Sequence, residues 1–220
     1  MSEETKLSLA DLAAQQQETT VSKHNEYLDE IAAGGFLPRL QLMTANSEDC
    51  KNGKFPINNF SLVAGDNDDI GKEVKVVVIS RRPKALDPTE KLQSHDPKES
   101  VFQDIMTKAD ASIDRCMYGV EYLIWIPSKE TFSTMLFGSK TMRRESPHMT
   151  ARIGKMARLT GHEIDTGKYK YWSVQVSPCS EDPDTMPEVE LYQKTLEEFN
   201  NPKKQEVEIA TDEETTGREV

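Results

Sequence analysis

The spacing of apolar residues along the chain changes character at Leu37. Residues 1–21 are polar, with Gln15-Gln16-Gln17 and Thr19-Thr20, and predict weak order. A short helix is predicted over 22–33. Ser22 is its cap, Tyr27, Leu28 and Ile31 give it one apolar face, and Gly34-Gly35 stops it. From Leu37 the period shortens toward two. Leu37 to Thr44 alternates in part, Asn52-Gly53 marks a turn, and Phe55 to Val63 reads as extended. Glu73 to Ser80 contains Val74, Val76, Val77, Val78 and Ile79, a β-branched run suited to a strand buried on both faces. Pro83, Pro88 and Pro97 make residues 83–99 a predicted loop. Val101, Phe102, Ile105 and Met106 predict a helix over 98–109.

A hairpin is predicted next. Val120 to Ile126 and Thr131 to Phe137 are β-rich runs joined by Pro127-Ser128-Lys129-Glu130. Ser146-Pro147 has the signature of a cap and first helical position. The predicted helix has Met149, Ile153 and Met156 on its apolar face, Arg152, Lys155 and Arg158 on its flank, and Gly161 at its end. Residues 162–166 and 169–177 predict a strand pair closed by Pro178. A last helix is predicted over 188–199, opened by Pro187 and stopped by Pro202, with Val189, Tyr192, Leu196 and Phe199 on one face. Together these elements predict a mainly β, α+β protein built on a small sandwich or partly open barrel, of which the OB-fold is one kind. Three parts are expected: an acidic segment with a short helix at 1–35, a β-rich OB-like domain at 36–179, and an acidic helix with a disordered tail at 180–220.

Composition and charge sharpen this division. The 220 residues are 36% hydrophobic, below the usual globular share, so part of the chain is expected to lie outside the core. No apolar run reaches 18 residues, which excludes a helical membrane span. The acidic start Met1-Ser2-Glu3-Glu4 does not read as a leader. Cys50, Cys116 and Cys179 are odd in number and far apart, which points to a reducing compartment rather than a disulfide framework. The net charge of −11 is uneven. Residues 1–35 carry net −5 and residues 180–220 net −9, while residues 36–179 carry net +3. Within the middle, residues 129–170 hold 9 basic and 4 acidic groups.

Motifs of covalent chemistry are missing. Gly65 to Lys72 comes near a phosphate-binding loop. It has five residues between its glycines, acids where phosphates would lie, and Glu73 in place of Ser or Thr. His24, His95, His148 and His162 pair with neither each other nor a cysteine at metal-ligand spacing. No cofactor, metal or catalytic residue is expected.

Three basic clusters flank aromatic strands. The first is Arg81, Arg82 and Lys84. The second is Lys140, Arg143 and Arg144, continuing to Arg152, Lys155 and Arg158. The third is Lys168 and Lys170, interleaved with Tyr169, Tyr171 and Trp172. Single-stranded nucleic acid needs this combination, because phosphates require cations and unpaired bases require flat apolar surfaces. The candidate phosphate contacts are therefore Arg81, Arg82, Lys84, Lys140, Arg143, Arg144, Arg152, Lys155 and Arg158. The candidate stacking platforms are Trp125, Phe132, Tyr171 and Trp172.

Six stretches carry a resemblance. They are Gly35 to Leu40, Phe55 to Asn58, Arg82 to Leu86, Met117 to Gly119, Tyr122 to Pro127, and Phe137 to Lys140 with Arg143-Arg144-Glu145. They resemble stretches in little-characterised tailed-bacteriophage proteins. The general plan also resembles phage single-stranded DNA-binding proteins, which have an OB-like domain, a basic groove with aromatics and an acidic C-terminal tail. That resemblance implies coating of single-stranded DNA in the cytoplasm of an infected bacterial host, phage replication or recombination proteins as partners, and scope for homo-oligomers. The chain departs from the plan at its end. Many such proteins finish in acids and a terminal Phe, whereas this sequence finishes Gly217-Arg218-Glu219-Val220.

The leading expectation is a non-enzymatic protein that binds single-stranded DNA without strong sequence preference and is modulated by its acidic tail. A second reading is a protein-binding or virion component whose acidic ends dock a basic partner. A third is a metal-dependent nuclease, which would need converging carboxylates.

Overall fold

Alternating apolar positions give strands, and the longest runs give the longest strands. The computed structural model describes residues 37–45, 47–63, 68–113, 115–168 and 170–201. The helix expected over 22–33 and the tail expected to be disordered beyond Pro202 lie outside the described residues. The strands are β1 (Arg39–Leu42), β2 (Phe60–Val63), β3 (Asp69–Gly71), β4 (Glu73–Asp87), β5 (Leu92–Ser94), β6 (Met117–Ile126), β7 (Thr131–Phe137), β8 (Met156–Asp165) and β9 (Lys170–Pro178). The helices among the described residues are a single turn α1 (Glu48–Lys51) and three longer ones, α2 (Ser100–Asp110), α3 (Lys140–Thr150) and α4 (Val189–Asn200).

All nine strands belong to one sheet in the order β3-β2-β1-β7-β6-β4-β8-β9, with β5 pairing the far end of β4. The sheet curls into a half-barrel, so the protein is mainly β within the α+β class. The curl brings β8 against the start of β2. Gly161 of β8 backs so closely onto the Asn58 side chain and Leu42 that a Cβ would collide with them.

The inner face carries the main core: Leu40, Phe60, Val76, Val78, Tyr122, Ile124, Phe137, Leu159 and Val174, closed by Met149 of α3. The outer face carries a second cluster of Val77, Ile79, Leu123, Trp125, Phe132 and Met156. Leu191 and Phe199 of α4 cover it. The valine run at the start of β4 is thus buried on both faces, as its composition predicts. The segment leading to α4 and the end of that helix are fastened by polar contacts as well. Trp125 Nε1 donates to the Thr185 carbonyl at 3.0 Å, Thr185 Oγ1 donates to the Pro127 carbonyl at 3.0 Å, and Ser80 Oγ donates to Asn200 Oδ1 at 3.2 Å.

Two predicted stretches are corrected. Residues 83–87 are not loop but the outer half of β4, paired with Val120 to Met117 of β6. Pro83 is tolerated because β8 pairs β4 only over Glu73–Val77 and β5 only over Ala85–Asp87, so its missing N–H faces no partner strand. The helix placed after Ser146-Pro147 begins seven residues earlier. Ser139 is its cap, and the Met142 N–H donates to Ser139 Oγ at 3.3 Å. Pro147 lies inside α3, which ends at Thr150. Arg152 and Lys155 sit in the following turn, and Met156 and Arg158 belong to β8.

A bulge in β4 has chemical consequences. The pairing with β6 shifts between Val78 and Ser80. Before the shift, odd-numbered residues such as Val77 face outward. After it, Arg82 pairs with Glu121 and shares its outer face with Lys84, whereas Arg81 pairs with the inward-facing Tyr122. Strand alternation divides the Arg81, Arg82, Lys84 cluster in any register, and the extra residue decides that Arg82 and Lys84, rather than Arg81, share the outer face with Glu121.

Candidate nucleic-acid interface

Strands β1 and β7 run parallel but pair only at Arg39↔Thr134, then separate. A cleft of about 640 Å³ opens where they part. Its lining includes inward residues Leu42 and Met135 and outward residues Leu136 and Glu121, so it reaches both faces of the sheet. Met142, Ser139 and Thr141 at the start of α3 form one wall. Tyr171 and Trp172 of β9 form another, with Ile57 beside them. Among the described residues three cations line it, Arg39, Lys84 and Lys170, against one acid, Glu121. A largely apolar concavity with a few polar groups is the usual form of a ligand site.

The start of α3 is electrostatically unusual. Its first turn contains no acid and carries Lys140 and Arg143, with Arg144 next. The positive end of the helix dipole therefore coincides with three cations, where acids would ordinarily lie. The nearby Glu145 is turned away, accepting the Val176 N–H of β9 at 3.1 Å. Lys140 and Arg144 are exposed and have no ion-pair partner among the described residues. Arg143 is committed instead to structure. Its guanidinium stacks 4.0 Å from the centre of the Tyr118 ring, donates to the Tyr118 carbonyl at 3.2 Å, and lies 3.6 Å from Asp110.

The other cations divide likewise. Arg81 donates to Thr150 Oγ1 at 3.1 Å and remains exposed beside the end of α3. Arg152 and Lys155 lie in the next turn without an ion-pair partner among the described residues. Arg158 is neutralised by Glu73 at 3.2 Å and Glu181 at 3.4 Å, and Glu181 also takes Lys75. Arg82 and Lys84 converge on Glu121. Arg82 Nε donates to Glu121 Oε2 at 2.7 Å and Lys84 Nζ to Glu121 Oε1 at 2.5 Å. The Glu121 side chain is only 2% exposed. Burial alone would raise its carboxyl group, but attraction and hydrogen bonds from Lys84 and Arg82 outweigh that and hold it below its ordinary range. Arg82 continues to α4, lying 4.1 Å over the Phe199 ring and donating to the Phe199 carbonyl.

The aromatic candidates are corrected by half. Trp125 and Phe132 are 1% and 0% exposed and meet edge-on at 5.0 Å beneath α4, so they are core rather than stacking platforms. They lie on the hairpin strands as expected, but Leu191 and Phe199 of α4 cover that face. Tyr171 is 37% exposed and Trp172 half-buried, and both line the cleft. Of the predicted cations, the structure brings only Lys84 into the cleft and Lys140, Arg143 and Arg144 to its wall helix. Arg81, Arg152 and Lys155 extend from the far end of that helix, and Arg158 is withdrawn. Sequence reasoning missed Arg39, Ser139, Thr141 and Glu121. For Glu121 a signal existed: it is the single charge inside the apolar run Val120 to Ile126.

Among the described residues, no group of three or more His, Cys, Asp or Glu side chains comes together in a way that could hold a metal ion. No described helix is long and apolar enough to cross a membrane. No protein-family model, no curated protein and no solved structure matches the chain.

Proposed function

We propose that the protein binds single-stranded DNA along the cleft and the adjoining face of α3, without covalent chemistry. One observation carries this reading. The positive start of α3, which carries Lys140 and Arg144, lines through Ser139, Thr141 and Met142 the same cleft as the rings of Tyr171 and Trp172. Cations beside flat rings serve phosphates and unpaired bases together. Each stacked base contributes about 1–3 kcal/mol, and phosphate contacts add a salt-dependent term. Arg81, Arg152 and Lys155 would prolong the phosphate track. In this reading the curled sheet serves as OB-like barrels do. The protein would guard single strands during phage replication or recombination in the host cytoplasm, alongside the proteins of those processes, alone or as a homo-oligomer. The acidic C-terminal segment would weaken binding by competing for the cations.

The test is a fluorescence titration of the full chain with oligo-dT at about 50 mM salt. Binding at micromolar concentration or tighter supports the proposal, and no binding refutes it. A tail deletion should begin at Pro202 rather than at Ser180. Leu191 and Phe199 are buried on the outer sheet face, so an earlier cut would uncover the core.

A further inference from the structure

Arg82, Lys84 and Glu121 form a cluster whose charges do not cancel. Two cations share one carboxylate, leaving net +1 on side chains only 17%, 12% and 2% exposed. No second carboxylate reaches them among the described residues. The Phe199 carbonyl at the end of α4 lends partial negative charge to Arg82. An uncompensated charge held largely away from water is unfavourable. Lys84 and Glu121 line the cleft, so this charge faces a space able to admit a ligand. The nearby His95 ring responds to the same field. Burial lowers its pKa first, and the positive charges of Arg82 and Lys84 lower it further.

We infer that the cleft is a discrete pocket for one nucleoside phosphate, its phosphate accepting from the Lys84 ammonium and its base lying against Trp172. An anion at Lys84 cancels the net charge without disturbing the Arg82–Glu121 pair, since the Lys84 ammonium has two further N–H groups to donate. The apolar walls Met135, Leu136 and Met142 accept the body of the ligand. The choice of a nucleoside phosphate rests on the strand-binding reading. The chemistry is the same for a free nucleotide and for one unit of a DNA strand.

The test titrates the full chain with thymidine 5′-monophosphate, with thymidine and with oligo-dT, following Trp172 fluorescence over the constant signal of the sealed Trp125. A charge-assisted contact predicts monophosphate binding about tenfold or more tighter than thymidine. In Lys84→Met the ratio falls to about one while thymidine affinity is unchanged, and in Lys84→Arg the ratio persists. Lys84→Met keeps Glu121 paired with Arg82, so folding is retained, which circular dichroism verifies. Equal affinity of thymidine and its monophosphate, or a ratio that survives Lys84→Met, overturns the inference. If oligo-dT binds and the monophosphate does not, the inference falls and the strand reading stands. If the monophosphate binds and oligo-dT does not, the strand reading falls and the pocket stands.

Discussion

Replacing Glu121 by Gln removes the one carboxylate that Arg82 and Lys84 share among the described residues and leaves the two cations facing each other. Breaking a buried pair from one side is unfavourable by about 3–5 kcal/mol, because a charge stays behind without its partner. Arg82 and Lys84 retain 17% and 12% side-chain exposure, so some water reaches them and the lower end, about 3 kcal/mol, is expected. Urea unfolding followed by circular dichroism measures this. With a slope of about 2 kcal/mol/M, the midpoint falls by about 1.5 M. Lys84→Met alone leaves one cation with one carboxylate and should change stability by less than about 1 kcal/mol. The double variant Glu121→Gln/Lys84→Met should recover part of the loss, since only one charge remains unpaired. The pH dependence has a definite sign. The folded-state pKa of Glu121 is depressed, so its contribution is complete above the unfolded value and is lost as pH falls through the lower folded value. A loss below about 1 kcal/mol in Glu121→Gln would refute the reasoning, because it would mean that water reaches the cluster freely.

Phe132→Ala should lower stability by about 3–5 kcal/mol in the same unfolding assay, because Phe132 is fully buried against Trp125; a change within about 1 kcal/mol would contradict the core assignment. Gly119→Ala should fail to fold or lose most of its cooperative transition in a thermal melt, since a Cβ there runs into the Phe137 carbonyl of the neighbouring strand. Asp87 is held down to about 2, first by the hydrogen bond from Lys108 and then by backbone N–H groups. Its contribution should therefore be complete above its ordinary 3.8 and vanish toward about 2, so the melting difference from Asp87→Asn should close over that interval in a pH series.

The sheet elements were legible where alternation and β-branching are local properties. The valine run of β4, the β6–β7 hairpin and the last helix all stand close to their predicted places. Three misreadings have physical causes. Pro83 reads as a strand breaker, yet it occupies a stretch of β4 with no neighbour on its N–H side. Ser146-Pro147 reads as a helix start, but Ser139 seven residues earlier makes the capping bond and the proline is accommodated within α3. The third concerns Trp125 and Phe132. Their positions on the strands were readable, while the cover provided by α4 is a long-range contact that no local pattern encodes.

The candidate site divides along the same line. The cationic run Lys140 to Arg144 could be read directly, but not that it opens α3, because Ser146-Pro147 reads as the helix start. That Arg82 and Lys84 would share Glu121, while Arg81 points elsewhere, depends on a one-residue bulge at Ile79. Strand-face arithmetic without that bulge puts Arg81, not Arg82, beside Glu121. The cleft itself arises because β1 leaves β7 after a single pair, a feature of the chain path rather than of composition.

The most direct test of strand binding compares the salt dependence of oligo-dT affinity in the wild type and in Lys140→Gln/Arg144→Gln. If both cations contact phosphates, the slope of log affinity against log salt becomes shallower by about 1.4, from about 0.7 per contact on single strands. An unchanged slope, or no affinity for oligo-dT in either protein, would contradict the account.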